Sequence, residues 1–170
     1  MSAIGSISPR TVLVVGLGNP DRGDDGVGER VAQELAGRLP PDVNVRACRG
    51  DVLNLIDEWA GFDALICVDA AAPLRSPGRV HRIDLAVEAL PRELSFASSH
   101  AMGLAEAVAL ARTLGRAPRD IIVYAVEGAR FDTGSGLAPE VAAAVATVAE
   151  RIVAEADRLR SGNHEETSHA

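Results

Sequence analysis

The stretch VVGLGNPDRGDDGVG, from Val14 to Gly28, decides the fold prediction for this chain. An apolar run ends in a turn of Gly, Asn and Pro, and the turn leads to two adjacent acids, Asp24 and Asp25, where a helix is expected to begin. Open α/β sheets bind their ligands at the carboxyl ends of their strands. Gly26 and Gly28 are poor helix formers, so their place in the first helical turn indicates close approach of another backbone or of a bound segment. The stretch predicts a strand, a turn and a helix with functional acids between them.

Strands and helices are expected to alternate along the rest of the chain. Helical stripes predict helices at 25–39, 101–114 and 139–160, with a further helix capped by Asp51 and ended by Gly61. Apolar or alternating runs predict strands at 11–16, 43–49, 64–68, 78–84 and 121–126. This order favours a three-layer αβα sandwich around a twisted, mostly parallel five-stranded sheet, in which one edge strand, 78–84, is a candidate for the antiparallel direction. We expect one domain at 11–160, between disordered segments at 1–10 and 161–170.

The composition narrows the classes of partner. Hydrophobic residues make up 47% of the chain but aromatic residues only 3%, so the core must consist of Ala, Val, Leu and Ile. The net charge of −7 repels nucleic acid, and no arginine cluster compensates for it. Neither a signal peptide nor a membrane span is expected. We therefore expect a cytoplasmic protein with neither a nucleic-acid nor a membrane partner, and we take a monomer as the default while the oligomeric state stays open.

The two cysteines, Cys48 and Cys67, lie in apolar runs and lack the spacing of a zinc knuckle or a redox pair. They are expected to be buried thiols in a reducing compartment.

The glycine-rich turn does not predict a nucleotide site. Gly16 and Gly18 match the first two glycines of a dinucleotide fingerprint, but Asp21 stands where the third is required. All 17 basic residues are arginine, so the chain has no lysine for a phosphate-binding loop. We therefore expect no nucleotide cofactor.

Three side chains are the candidates for chemistry. Asp25 follows the first strand, Asp69 closes the apolar run of the third, and His100 lies in a loop before a helix. Asp24 is interpreted as mainly structural, and His81 as a surface residue of an edge strand. If the first and third strands are neighbours, Asp25 and Asp69 approach the same crevice. Two carboxylates and an imidazole could bind a divalent metal or act as general bases around a water molecule.

The order and spacing of several motifs resemble those of the hydrogenase maturation endopeptidases that process [NiFe] hydrogenases. The resemblance runs from about residue 12 to residue 159. It rests on GNP at 18–20 with DDGVG at 24–28, VDA at 68–70, SSHAMGL at 98–104, YAVEG at 124–128 and GLAPEV at 136–141.

The resemblance implies a twisted sheet between helices and removal of a short C-terminal extension from the hydrogenase large-subunit precursor after nickel insertion. It implies that Asp25, Asp69 and His100 are both the catalytic and the metal-contacting residues, and that the precursor supplies the nickel. Many members of that family have Glu at the first position, so Asp25 withdraws the carboxylate by one methylene.

Two alternatives remain open at this point. The opening VGLGNP at 15–20 also resembles peptidyl-tRNA hydrolases, although this chain lacks the Tyr and the Thr-Arg-His-Asn run that follow the turn in that family. A non-catalytic module that recognises the C-terminal tail of a partner is the other alternative.

Overall fold

The computed structural model describes residues 9–50, 52–91, 94 and 103–162. Its strands are β1 (Val12–Leu17), β2 (Val43–Cys48), β3 (Ala64–Ala71), β4 (Val80–Asp84) and β5 (Asp120–Glu127). Its α-helices are α1 (Val27–Leu35), α2 (Ile56–Trp59), α3 (Leu104–Thr113) and α4 (Pro139–Ser161). Short 3₁₀ turns at Gly23–Gly26 and Val52–Leu55 lead into α1 and α2.

The strands form one sheet in the order β2-β1-β3-β5-β4. Four strands are parallel, and β4 pairs antiparallel with β5 at one edge. This confirms the mostly parallel sheet with one antiparallel edge strand. Because β2 lies on one side of β1 and β3 on the other, the chain reverses its direction of winding between β1 and β3, which is where open α/β sheets form their ligand crevice.

Helices cover both faces of the sheet. The central strands β1, β3 and β5 are buried along their whole length, which explains why their sequences are almost continuously apolar. Alternate residues point to opposite faces. Val12 and Val14 belong to the core under α1 and α4, while Leu13 and Val15 belong to the core under α2 and α3.

Helix α1 packs unusually close to the sheet. A Cβ atom on Gly28 would overlap backbone atoms of Leu17 and Val68, and one on Gly16 would overlap the carbonyl of Gly28. The glycines therefore let the helix backbone touch the strand backbones. This confirms the close approach of another backbone that Gly26 and Gly28 predicted. The close packing also fixes the position, relative to the sheet, of the turn that carries Asp25.

Several element bounds differ from the sequence prediction. β3 continues past Val68 to Ala71, so Asp69 lies inside the strand rather than at its end. The predicted helix 25–39 starts as a 3₁₀ turn, and α1 ends at Leu35, just before Gly37 with its left-handed φ of 76°. The predicted cap at Asp51 and the predicted helix start at Ala101 lie outside the described residues.

The two ends of the described chain lie close together. Arg10 donates its backbone N–H to Arg160 and its guanidinium to Asp120 at 3.0 Å, and α4 continues to Ser161. Residues 1–8 and 163–170, which the sequence assigns to disordered segments, lie outside the described residues. No helix in the described part of the chain is long and apolar enough to cross a membrane.

The cysteines form no disulfide. Cys67 is buried, and burial raises the pKa of its thiol far above the ordinary value. Cys48 is only half-buried, because it stands at the end of the edge strand β2, so the prediction of full burial is wrong for this residue.

Candidate active site

Asp25 and Asp69 lie on either side of the point where the winding of the sheet reverses. β1 and β3 are direct neighbours, and Gly16 pairs with Val68, the residue before Asp69. The turn after β1 carries Asp25, and β3 carries Asp69 itself. The condition that the sequence set for the two carboxylates to share one crevice, adjacency of the first and third strands, is therefore met.

The carboxylate of Asp25 is buried with only one oxygen satisfied. The side chain is 1% exposed, and Oδ2 accepts the backbone N–H of Asn19 at 2.9 Å. Among the described residues Oδ1 has no hydrogen-bond partner. Gly18 makes this arrangement possible, since its φ is 121° and a Cβ there would overlap the Asp25 carbonyl. The turn thus holds a buried carboxylate oxygen without a described partner at the carboxyl end of β1, an arrangement that costs free energy in the absence of a cation or a donor.

Asp69 is the second buried acid of the site. It is 1% exposed, and its Oδ1 accepts the N–H of the next residue, Ala70, at 2.8 Å. Burial, and to a lesser extent the negative charge of Asp25, raise the pKa of Asp69 well above its usual range. Because β1 and β3 are neighbours, the two buried carboxylates lie at the same end of the sheet, near enough for the charge of Asp25 to act on Asp69. A positive charge placed between the two carboxylates would offset both the free-energy cost of their burial and their mutual repulsion.

His100, the third predicted site residue, lies outside the described residues. Within the described ranges, no group of three or more His, Cys, Asp or Glu side chains is arranged to hold a metal ion. The described part of the site is therefore the pair of carboxylates.

Asp24 has a different role from its neighbour. It is completely buried, and its carboxylate accepts three backbone N–H groups, from Ala129 at 2.7 Å, Arg130 at 2.9 Å and Ala138 at 2.7 Å. Its own N–H donates to the carbonyl of Arg130. Asp24 therefore joins the turn after β1 to the loop between β5 and α4. This agrees with the interpretation that Asp24 is mainly structural, although it makes no cap on its own helix.

Glu127 is a buried acid whose role the sequence did not reveal. It ends β5, is 1% exposed, and its Oε1 accepts the N–H groups of Leu74 at 2.6 Å, Ser76 at 2.8 Å and Arg75. Burial raises the pKa of Glu127, but the three N–H groups outweigh that effect and hold it below its ordinary value. Glu127 thus anchors the loop that follows β3. The signal was the one that singled out Asp69, an acid that closes an apolar run.

His81 is not the surface residue that the sequence predicted. It is half-buried, and among the described residues its Nε2 is buried without a partner. His81 pairs with Ala125, which also pairs with Asp69 in the next strand, so the two side chains project from the same face of the sheet. Arg82 points to the other face and binds Glu155 of α4 at 2.6 Å.

Comparison with known proteins identifies the family. The family model for hydrogenase maturation proteases (HycI) matches residues 30–155. The chain belongs to the hydrogenase maturation protease family. It is 30% identical over 135 residues to the hydrogenase expression/formation protein HupD of Thiocapsa roseopersicina, a match that covers 76% of this chain and 60% of that protein.

Two further proteins support the assignment to the hydrogenase maturation proteases. The hydrogenase 2 maturation protease of Escherichia coli is 28% identical over 147 residues, which cover 84% of this chain and 88% of that one. Among solved structures, the [NiFe] hydrogenase maturation protease HybD from Thermococcus kodakarensis superimposes with a TM-score of 0.71 at 27% identity, over 86% of this chain and 99% of that one. The chain is accordingly a hydrolase of the peptidase class, and the resemblance noted in the sequence is confirmed. This assignment also disfavours the two alternatives that the sequence left open.

Proposed function

We propose that this hydrogenase maturation protease removes the C-terminal extension of the large-subunit precursor of a [NiFe] hydrogenase, and that it recognises the precursor by the nickel already bound there. The observation that carries the proposal is the buried Oδ1 of Asp25, which has no partner among the described residues, beside the neighbouring strand that carries the buried Asp69. Such a pair is short of positive charge, and a cation carried by the substrate supplies it.

The chemistry of the donors fits the cargo. Carboxylate oxygens and imidazole nitrogens are ordinary ligands of divalent first-row metals. In this proposal, Asp25 and Asp69 receive the substrate's nickel, with His100 as the third ligand that the family resemblance implies. A cation in this position polarises the peptide carbonyl or activates a water molecule.

The residues of this chain position the carboxylates and supply the general base. The Gly18–Asn19 turn fixes the carboxylate of Asp25. Asp25 and Asp69 are each only 1% exposed, so bulk water is largely excluded from both carboxylates. A carboxylate oxygen of Asp25 or Asp69 that does not bind the cation accepts a proton from the attacking water, which is the part that general bases play in hydrolysis.

The test is a cleavage assay with purified protein. A nickel-loaded large-subunit precursor is incubated with the wild type, and intact-mass spectrometry looks for the loss of a mass equal to the C-terminal extension. We expect cleavage by the wild type, its loss in the Asp25→Asn, Asp69→Asn and His100→Ala variants, and no cleavage of the nickel-free precursor.

Asp132→Asn is the matched control, since Asp132 is an exposed acid in the loop beside Asp24 and is expected to leave cleavage unchanged. Binding of the precursor without cleavage would instead support the non-catalytic module. Hydrolysis of an aminoacylated RNA would support the peptidyl-tRNA hydrolase alternative.

A further inference from the structure

The outer edge of β2 is a regular strand edge that no described strand covers. β2 is the first strand in the sheet order, and it keeps register with β1 for six consecutive residues, from Val43 to Cys48. It contains no proline, and no bulge interrupts the pairing. Proteins usually protect such edges with a bulge, a proline or a covering segment, because the unpaired backbone groups attract another strand.

The backbone groups that point outward can be assigned from two bonds at the ends of the ladder. Val12 donates its N–H to the carbonyl of Asp42, and Gly18 donates to that of Cys48. Bonds in a parallel pair are evenly spaced, so the even-numbered residues of β2 face β1. The N–H and C=O groups of Val45 and Ala47 therefore face away from the sheet and lack a strand partner among the described residues.

Two hollows flank this edge, one on each face of the sheet. The α1 hollow has a volume of about 410 Å³ and is lined by apolar side chains that include Ala32, Leu35, Leu39 and Val45. The α2 hollow has a volume of about 510 Å³ and is lined by polar groups that include Arg46, Arg49, Asn54 and Glu58.

The charged walls of the hollows are already paired. Arg46 binds Glu58 at 3.0 Å, and Arg49 binds Glu29 of α1 at 2.7 Å. Among the described residues, the hollows therefore lack an unpaired charge that would demand an ion, and what they offer is room for side chains.

We propose that an extended polypeptide adds to the sheet at the outer edge of β2, and that this polypeptide is the C-terminal extension of the precursor. Only a peptide backbone offers donors and acceptors in the alternation that a strand edge requires, and an added strand points successive side chains to opposite faces. The two hollows match that alternation, with apolar side chains on the α1 side and polar ones on the α2 side. The inference rests on the proposed function for the identity of the peptide.

The position of the edge connects it to the carboxylate pair. Cys48, the last residue of β2, accepts the N–H of Gly18, which lies against Asp25. A strand added to β2 lies about 10 Å from β1, since neighbouring strands are about 4.8 Å apart, and three extended residues span that distance. Because the extension follows the scissile bond, it runs from the site toward Val43, antiparallel to β2.

Hydrogen exchange tests the contact directly. A synthetic peptide with the sequence of the extension is added to the wild-type protein, and amide exchange is followed residue by residue. In the free protein the amides of Val45 and Ala47 should exchange quickly, while those of Asn44, Arg46 and Cys48 are protected by β1. The peptide should slow exchange at Val45 and Ala47.

Proline substitutions test the contact in the reaction. Val45→Pro and Ala47→Pro each remove an outward N–H and leave the bonds to β1 intact, which is the case in which an edge strand tolerates proline. We expect the KM for the nickel-loaded precursor to rise about tenfold, with kcat changed less than about twofold. Ala47→Val keeps the N–H and is the matched control. Thermal unfolding establishes that each variant is folded, and if a proline variant is not, the exchange experiment on the wild type decides.

Three results would overturn the proposal. These are unchanged KM values in folded proline variants, protection by the peptide at β4 instead of β2, and protection at Val45 and Ala47 that grows with protein concentration alone, which would identify a second copy of this chain as the occupant. Failure of the wild type to cut the precursor would count against the proposed function, and it leaves the peptide experiment able to decide on the edge.

Discussion

Asp24 and Asp25 are adjacent acids, and we expect the same substitution to have opposite effects at the two positions. Asp24→Asn should unfold the protein far more readily, whereas Asp25→Asn should leave stability nearly unchanged and abolish cleavage. The reason is the number of N–H groups that each carboxylate accepts within the described part of the chain, which is three for Asp24 and one for Asp25.

The magnitude follows from the hydrogen bonds. An asparagine at position 24 keeps one acceptor oxygen, which can serve Ala129 and Arg130, and its NH₂ group then faces the N–H of Ala138. A buried donor left without a partner costs about 1–3 kcal/mol, and two bonds to a charged acceptor weaken to neutral ones at about 1 kcal/mol each. We therefore expect a loss of about 4 kcal/mol, which corresponds to a decrease in Tm of roughly 8–16 °C for a chain of this size.

At position 25 the same reasoning predicts almost no change in the free energy of unfolding. The amide oxygen of an asparagine takes the N–H of Asn19, and its NH₂ group replaces Oδ1, which has no partner among the described residues. Loss of the negative charge also removes the repulsion of Asp69 and lowers the pKa of that residue toward its usual range. The change in stability should stay within about 1 kcal/mol.

Urea denaturation followed by the fluorescence of Trp59 measures both changes. Trp59 is the single tryptophan of the chain and is fully buried, so its emission reports global unfolding. Asp132→Asn serves as the control for a charge change on the surface. Equal losses of stability at positions 24 and 25, or a larger loss at 25, would show that the assignment of structural and functional acids is wrong.

Three further predictions follow from the packing and the buried groups. Gly28→Ala should destabilise the protein by several kcal/mol because its Cβ overlaps two strand backbones, whereas Gly50→Ala, which meets open space, should change the free energy of unfolding by less than about 0.5 kcal/mol. Glu127→Gln should cost about 2 kcal/mol at pH 7 in urea denaturation. The folded-state pKa of Glu127 lies below its ordinary 4.5, so this carboxylate stabilises the fold above about pH 4.5. The difference in the free energy of unfolding between wild type and variant should therefore shrink as the pH falls through the folded-state pKa. A difference that stays constant with pH would refute the role of the charge. Finally, a thiol reagent should modify Cys48 in the native protein and Cys67 only after unfolding, and equal rates for both would contradict the burial of Cys67.

Continuous apolar runs and glycines were the parts of the sequence that predicted structure best. The runs in β1 and β3 predicted buried parallel strands, because a strand covered on both faces has no polar side to alternate with. Gly26 and Gly28 predicted the close approach of α1 to the sheet, because no other residue leaves that space. The shared crevice for Asp25 and Asp69 could be predicted only as a condition on strand order, which no local pattern determines.

The features that sequence reasoning missed depend on contacts between distant segments. A charged residue after an apolar run indicates the end of a strand, yet β3 continues through Asp69 because its backbone pairs with β5 up to Ala71. The partners of Glu127 lie about fifty residues earlier in the chain and are backbone groups, which carry no sequence signal. His81 was misjudged from its arginine neighbours, although adjacent residues of a strand point to opposite faces.

The hydrogen bonds of Asp24 join residues that are far apart in the sequence, since Ala129 lies 105 positions after Asp24 and Ala138 lies 114 positions after it. A nascent chain emerging from the ribosome can form β1 and its turn early. The three hydrogen bonds that hold Asp24 in that turn cannot form until the loop after β5 and the start of α4 have been translated. We therefore expect the peptidase to be inactive during its own synthesis and to become active in a single late folding step.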